Sequence, residues 1–320
     1  MPVQNEIPPA HVKRSFAAPL LIFVIYLLCL GMRFLPQVTS RVTDLDSIYV
    51  VLILLQILVF VLPGIFFCKL RGSGYSLRLS LRLPHADRVG IGIIALLLIL
   101  LGNALIKIGI VSLHGEFRNG YILNLYDYVG ESNLGTVTDA IYSILTFAVV
   151  PAVVTEFVFR GILMREYADG GYGPVCTVLF SALLYAMLSF SFYTLPTMFF
   201  TGLMLGITMY FTHSLFLCMA VSAVSAGVDL FAESFLLHVA AQKSNVLLLC
   251  FCIVTAFLFI LLLGLREAER ILYNEGLRTT EVPHDLRTEG KMSGALAACA
   301  LSPSFLMCLA AFVAGTILQS

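Results

Sequence analysis

Charged residues are scarce in this chain. They make up 12% of its 320 residues, where a soluble globular domain carries roughly a quarter. That charge is also balanced, 19 Lys and Arg against 19 Asp and Glu, so nothing points to a nucleic-acid partner. No CxxC pair occurs among the eight cysteines (Cys29, Cys68, Cys176, Cys218, Cys250, Cys252, Cys299 and Cys308). All of them fall in or at the edge of apolar runs, and Cys250 and Cys252 point to different sides of a helix. This argues against a disulfide or zinc framework and leaves the thiols as small apolar packing groups. The first apolar run lacks a clean small-x-small cleavage pattern, so it reads as an uncleaved helix rather than a signal peptide. Internal repeats and low-complexity tracts are missing too.

What fills the chain is hydrophobic sequence, 59% of residues, with a mean hydropathy of +0.96. Nine apolar windows stand out, at residues 16–35, 47–68, 89–113, 140–165, 174–192, 195–211, 214–239, 245–265 and 293–318. Each is close to the roughly twenty residues that a helix needs to cross a bilayer. Lipid offers no hydrogen bonds to a backbone, so the windows must be helices. The expectation is an all-α, polytopic transmembrane helix bundle in the cell membrane, with membrane lipids as its first partners.

Basic residues set an expected orientation. Lys13 and Arg14 precede the first window, and Lys69, Arg71, Arg78, Arg82 and Arg88 follow the second. The positive-inside rule puts both groups, and the amino terminus, in the cytoplasm. With nine crossings the carboxyl terminus lies outside. Within the basic loop, residues 76–83 (SLRLSLRL) alternate strictly, as a strand or as an interfacial elbow against anionic headgroups. Residues 113–139 form the one sizeable outer loop. Residues 1–265 read as the membrane bundle and 266–292 as a charged cytoplasmic linker, whose start could extend the eighth helix to Gly276. Residues 293–320 read as an extra, Ala-rich helix with Pro303.

Ionisable groups inside such segments are expensive, so they pair, face inward and mark sites. Glu156 and Arg160 are four apart and so share a helix face. With the fourth helix ending near Arg165, Glu156 lies about 14 Å from that end. The pair is a structural lock or a proton-handling site. Ser222, Ala226, Asp229 and Glu233 follow a 4-3-4 spacing and share one face of the seventh helix. Lys107, one turn beyond Asn103 on the third helix, lies at a matching depth. An ion pair between Lys107 and Asp229 or Glu233 is expected inside the bundle, or else each group snorkels to the interface.

The wider pattern carries a resemblance. TEFVFRGIL, then YGPVCTVLFSALLYAML, then FFTGLMLGITMYFTHSLF resemble the CPBP family. This comprises type II CAAX prenyl endopeptidases and bacteriocin-processing or self-immunity (Abi-like) intramembrane proteins. The most specific part is Glu156, Phe159, Arg160 and Gly161, running into Ile162 and Leu163, with the Gly202, Gly206 and Ser214-Leu215 spacing in support. The resemblance implies an eight-helix core, with its motifs at about residues 138–238, plus one appended carboxyl-terminal helix. It also implies a catalytic set of Glu-Glu-x-x-x-Arg on one helix, Phe-x-x-x-His on the next and His-x-x-x-Asn or Asp on a later one. The first glutamate and the histidines would activate water for peptide hydrolysis, with zinc or another divalent metal where one is used.

Glu156 and Arg160 stand at the second glutamate and the arginine of that set, and the other positions are changed here. Thr155 stands for the first glutamate, Ser189 (four after Tyr185) for the first histidine, Ser222 for the second and Ala226 for the Asn or Asp. Hydroxyls have no proton affinity near neutral pH and are poor zinc ligands. His213 is the one histidine placed to substitute. The sequence therefore reads as a pseudoprotease needing no cofactor, a membrane scaffold or a binder of a membrane protein or a lipidated or hydrophobic peptide. Two alternatives stand beside it. One is an active endopeptidase with a rearranged site of Glu156, Ser189, Ser222 and His213, the other a small-solute transporter built on Lys107, Asp229 and Glu233.

Overall fold

The computed structural model describes residues 17–31, 45–72, 83–84, 88–114, 137–241, 246–278 and 296–319. Among these there is no strand. Nine helices follow in order: α1 (Ala17–Gly31), α2 (Leu45–Gln56, Ile57–Val61, Leu62–Arg71) and α3 (Val89–His114); α4 (Val137–Ile144, Leu145–Val149, Val150–Glu156, Phe157–Leu163, Met164–Asp169), α5 (Pro174–Met187) and α6 (Leu195–Thr212); α7 (Leu215–Ala241), α8 (Val246–Arg278) and α9 (Pro303–Gln319). Six are long and apolar enough to cross a membrane, and α1, α5 and α9 are shorter apolar helices. The protein is a multi-pass helical membrane bundle. Lys13 and Arg14, most of the alternating stretch 76–83, the outer loop at 115–136 and the linker beyond 278 lie outside the described residues.

The helix boundaries follow from the sequence. Pro174 and Pro303 open α5 and α9, because a first-turn proline lacks only an N–H that has no helical partner there. Gly72, at φ 110°, ends α2, and Gly171, at φ 76°, turns the chain between α4 and α5, a region a Cβ disfavours. Prolines also mark two of the three described π-helical stretches. Ile57–Val61 and Leu145–Val149 each end just before a proline, Pro63 and Pro151, and the wider turn accommodates a ring that cannot donate back along the helix.

Two helices differ from their sequence-level roles. α9, appended in chain order, is part of the main core. Its Phe305, Cys308 and Phe312, with Cys299 just before it, are buried with Ile22, Ile25 and Cys29, and the Cys308 thiol donates to the Pro19 carbonyl at 3.2 Å. α8, counted within the core, has none of its spanning window buried and leans on α3 through Gly264, whose α-carbon faces Ile94. As the sequence allowed, it continues as helix beyond residue 265, past Gly276 to Arg278. Polar ties brace the bundle's interior. The Tyr26 hydroxyl donates to the Leu184 carbonyl, joining α1 to α5, and Arg71 pairs with Glu166, joining α2 to α4.

Candidate functional site

The centre of the bundle is a buried ion pair. Glu156 is 0% and Arg160 1% exposed. One turn apart on α4, they meet through Arg160 Nη1 and Glu156 Oε1 at 3.1 Å. Arg160 lies in the π-helical stretch Phe157–Leu163, a backbone form that recurs at functional sites. Its other terminal nitrogen donates to the Gly202 carbonyl of α6 at 2.8 Å. Its guanidinium carbon sits 4.6 Å from the Tyr185 ring centroid on α5, and Tyr185 packs edge-on against Phe159 at 5.3 Å. One cation thus ties α4, α5 and α6. A planar guanidinium can do this because it offers a fork of donors and a stacking face together. Glu156 Oε2 and Arg160 Nε are buried without hydrogen-bond partners. α4 runs on to Asp169, so Glu156 is about 20 Å from the helix end rather than about 14 Å.

The other positions that the resemblance singles out lie on α4, α7 and the turn after α5. Thr155 is buried, and its hydroxyl donates to the Pro151 carbonyl at 2.7 Å, the back-bond a helical threonine makes to the residue four before it. Ser189 was expected on the fifth helix, in a window reaching 192. That helix stops at Met187, and Ser189 lies in the turn beyond, its hydroxyl bonded to the Ser191 carbonyl at 3.2 Å. Phe190 has φ 48°, which ends the helix. Ser222 is buried on α7, with Ala226 one turn further and half-buried. His213 forms the left-handed cap of α6, φ 50°, and is exposed, whereas Glu156 is sealed inside.

A divalent metal of the kind the resemblance implies would need imidazole or carboxylate ligands from several helices. These positions offer two internally bonded hydroxyls, a third hydroxyl, a methyl group and a carboxylate facing a guanidinium. Among the described residues no group of three or more His, Cys, Asp and Glu converges. The residues present do not fit the metal. One residue escaped the sequence reading: Cys218, buried on α7, donates its thiol to the Leu205 carbonyl of α6 at 3.7 Å. Its signal was present, because Cys218 and Ser222 are four apart and share a face.

The second constellation also forms. Lys107 Nζ lies 2.9 Å from Glu233 Oε2 and 3.5 Å from Asp229 Oδ1, joining α3 to α7. One turn earlier, Asn103 Nδ2 donates to Thr201 Oγ1 at 2.9 Å. Lys107→Met is expected to destabilise the protein by about 2 kcal/mol, less than for a sealed pair because Asp229 is partly open. Thermal melting of the purified variant checks this, and an unchanged Tm would show that the triad does not hold α3 to α7.

The fold and this site define a class: a multi-pass helical membrane protein built around a sealed glutamate–arginine pair. Within it, residues 137–228 match the family model described as Type II CAAX prenyl endopeptidase Rce1-like, consistent with the CPBP family. The match takes in Glu156, Arg160, Ser189, Ser222 and Ala226 and leaves out Lys107 and Glu233. No curated protein and no solved structure matches the chain.

Proposed function

We propose that this protein is a pseudoprotease of the CPBP intramembrane protease family. It acts as a membrane scaffold, or as a binder of a membrane protein or a lipidated or hydrophobic peptide, and it needs no metal. The supporting observation is how the central charges are used. Arg160 is engaged at once by Glu156, the Gly202 carbonyl and the Tyr185 ring, and the hydroxyls at the substituted positions Thr155 and Ser189 are bonded to backbone. Hydrolysis requires a base able to take a proton from water. The one acid–base group in place is a carboxylate already facing a guanidinium.

One observation favours an active endopeptidase instead: Glu156 Oε2 is buried without a hydrogen-bond partner and would be the oxygen to hold a water. The two readings separate in liposomes containing the full chain, given a prenylated CAAX-type peptide or a signal peptide, with and without added zinc. The expected result is saturable peptide binding with no fragment detectable by mass spectrometry. Cleavage that Glu156→Gln abolishes without lowering Tm would refute the pseudoprotease reading.

A further inference from the structure

An apolar groove runs along the exposed side of α7, apart from the Glu156–Arg160 pair. It encloses about 590 Å³ between Ile144 and Val149 of α4 and Ala223, Gly227, Val228 and Phe231 of α7. Its α7 wall is open: Val228 is 39% and Phe231 51% exposed. A Cβ built on Gly227 would meet Ala148 Cβ at 3.9 Å and nothing closer, so the glycine leaves room that the α4–α7 contact does not use. Val228 and Ala232 also line a neighbouring cavity of about 150 Å³, which holds Asp229 and Glu233. A chain lying in the groove is therefore one side chain's reach from both carboxylates.

The charges there do not balance. Two carboxylates share the Lys107 ammonium, the one cation that the described ion pairs bring to them. Lys107 is nearer Glu233, and Asp229 is the more open of the two, its side chain 37% exposed against 19%. Asp229 lies fourteen residues along α7 from Leu215. Taking Leu215, where the apolar span of α7 begins, as the entry to a hydrocarbon layer about 30 Å thick, Asp229 is about 21 Å in and some 9 Å inside the far boundary. A lipid headgroup ammonium sits outside that boundary, too shallow to reach it. A lysine or arginine on a membrane-spanning helix does reach it, and such a group itself needs a carboxylate. A second copy of the chain does not supply one. In mid-span the described basic residues are Lys107 and Arg160, both buried and already paired. The exposed Arg266 of α8 lies toward the Leu215 end of α7 and away from Asp229, since Gly264 meets Ile94 and Gly92 meets Leu217.

We propose that the α4–α7 groove docks a transmembrane helix of another membrane protein, with a basic side chain of that helix laid over Val228 and Ala232 onto Asp229. The small residues Ala223 and Gly227 let a second backbone approach closely, and in lipid that packing provides much of the association. The inference stands apart from the pseudoprotease reading, because a groove of this kind can serve a scaffold or recruit a substrate.

The test uses the full chain in liposomes with three labelled single-span Leu/Ala-rich peptides, carrying Lys, Leu or Glu at the depth of Asp229. The Lys peptide is expected to associate about three- to tenfold more tightly than the Leu peptide. Asp229→Asn should erase that preference, and Gly227→Leu should weaken both peptides while Tm is kept. Equal binding of the three peptides would overturn the proposal, as would a Lys preference that survives Asp229→Asn. So would a photocrosslinker at Val224 that labels only phospholipid or a second copy. Cleavage of a bound peptide would contradict the pseudoprotease reading and leave this one intact.

Discussion

Replacing Glu156 with Gln is expected to cost the folded protein about 3–5 kcal/mol, the usual penalty for stranding one charge of a buried pair. The amide can still accept a hydrogen bond from Arg160, so what is lost is charge and not shape. Arg160 is 1% exposed, and its remaining partners, the Gly202 carbonyl and the Tyr185 ring, are neutral. A guanidinium cannot escape by losing its proton. Arg160→Met should cost less, because the carboxyl it strands can take up a proton and become neutral. The double variant Glu156→Gln/Arg160→Met should recover much of the loss, since apolar replacement of a buried pair is often tolerated. Melting curves in detergent give the order: Glu156→Gln lowest, Arg160→Met next, the double variant nearest the unmodified protein. If Glu156→Gln melts unchanged, the pair is not what holds the bundle, and its retention needs a catalytic explanation.

How far the sequence reached depended on whether an interaction was local. Glu156 and Arg160 are four apart on one helix, so their pairing could be read from spacing. The meeting of Lys107 with Asp229 and Glu233 joins α3 to α7 across the chain, yet the cost of lone charges in lipid leaves few partners at matching depth. The Gly202 carbonyl was out of reach, because every residue has a carbonyl and only packing selects the one that faces Arg160. Tyr185 was a cavity candidate, but its stacking on a cation depends on how α5 crosses α4. Ser189 was misplaced because the apolar window continues past Met187, while the helix ends where Phe190 adopts a left-handed backbone. The relative burial of α8 and α9 was equally hidden, since apolar windows look alike whether they face lipid or protein.

These features converge on one close approach. Gly202 does two jobs on α6: its carbonyl takes Arg160, and its missing side chain lets α6 lie against α5. A Cβ there would stand 3.1 Å from the Ala182 α-carbon, 3.2 Å from the Ala182 carbonyl oxygen and 3.1 Å from Tyr185 Cδ1. Two of those atoms are backbone and cannot swing aside, so α5 and α6 must separate. That movement lengthens the bond from Arg160 and shifts the ring beneath it. Gly202→Val is therefore expected to cost about 1–3 kcal/mol for overpacking and about 1.5–3 kcal/mol more for the weakened charged hydrogen bond. Gly202→Ala should fall between Gly202→Val and the unmodified protein. Gly206→Ala is the control, because its nearest neighbour is Val178 Cγ1 at 3.0 Å, a side-chain methyl rather than backbone. Repeating Gly202→Val in the Glu156→Gln/Arg160→Met background separates the two costs: overpacking should remain and the Arg160 component should vanish. If Gly202→Val costs the same in both backgrounds, the Gly202 carbonyl contributes nothing to holding Arg160, and the lock reduces to Glu156 and Tyr185.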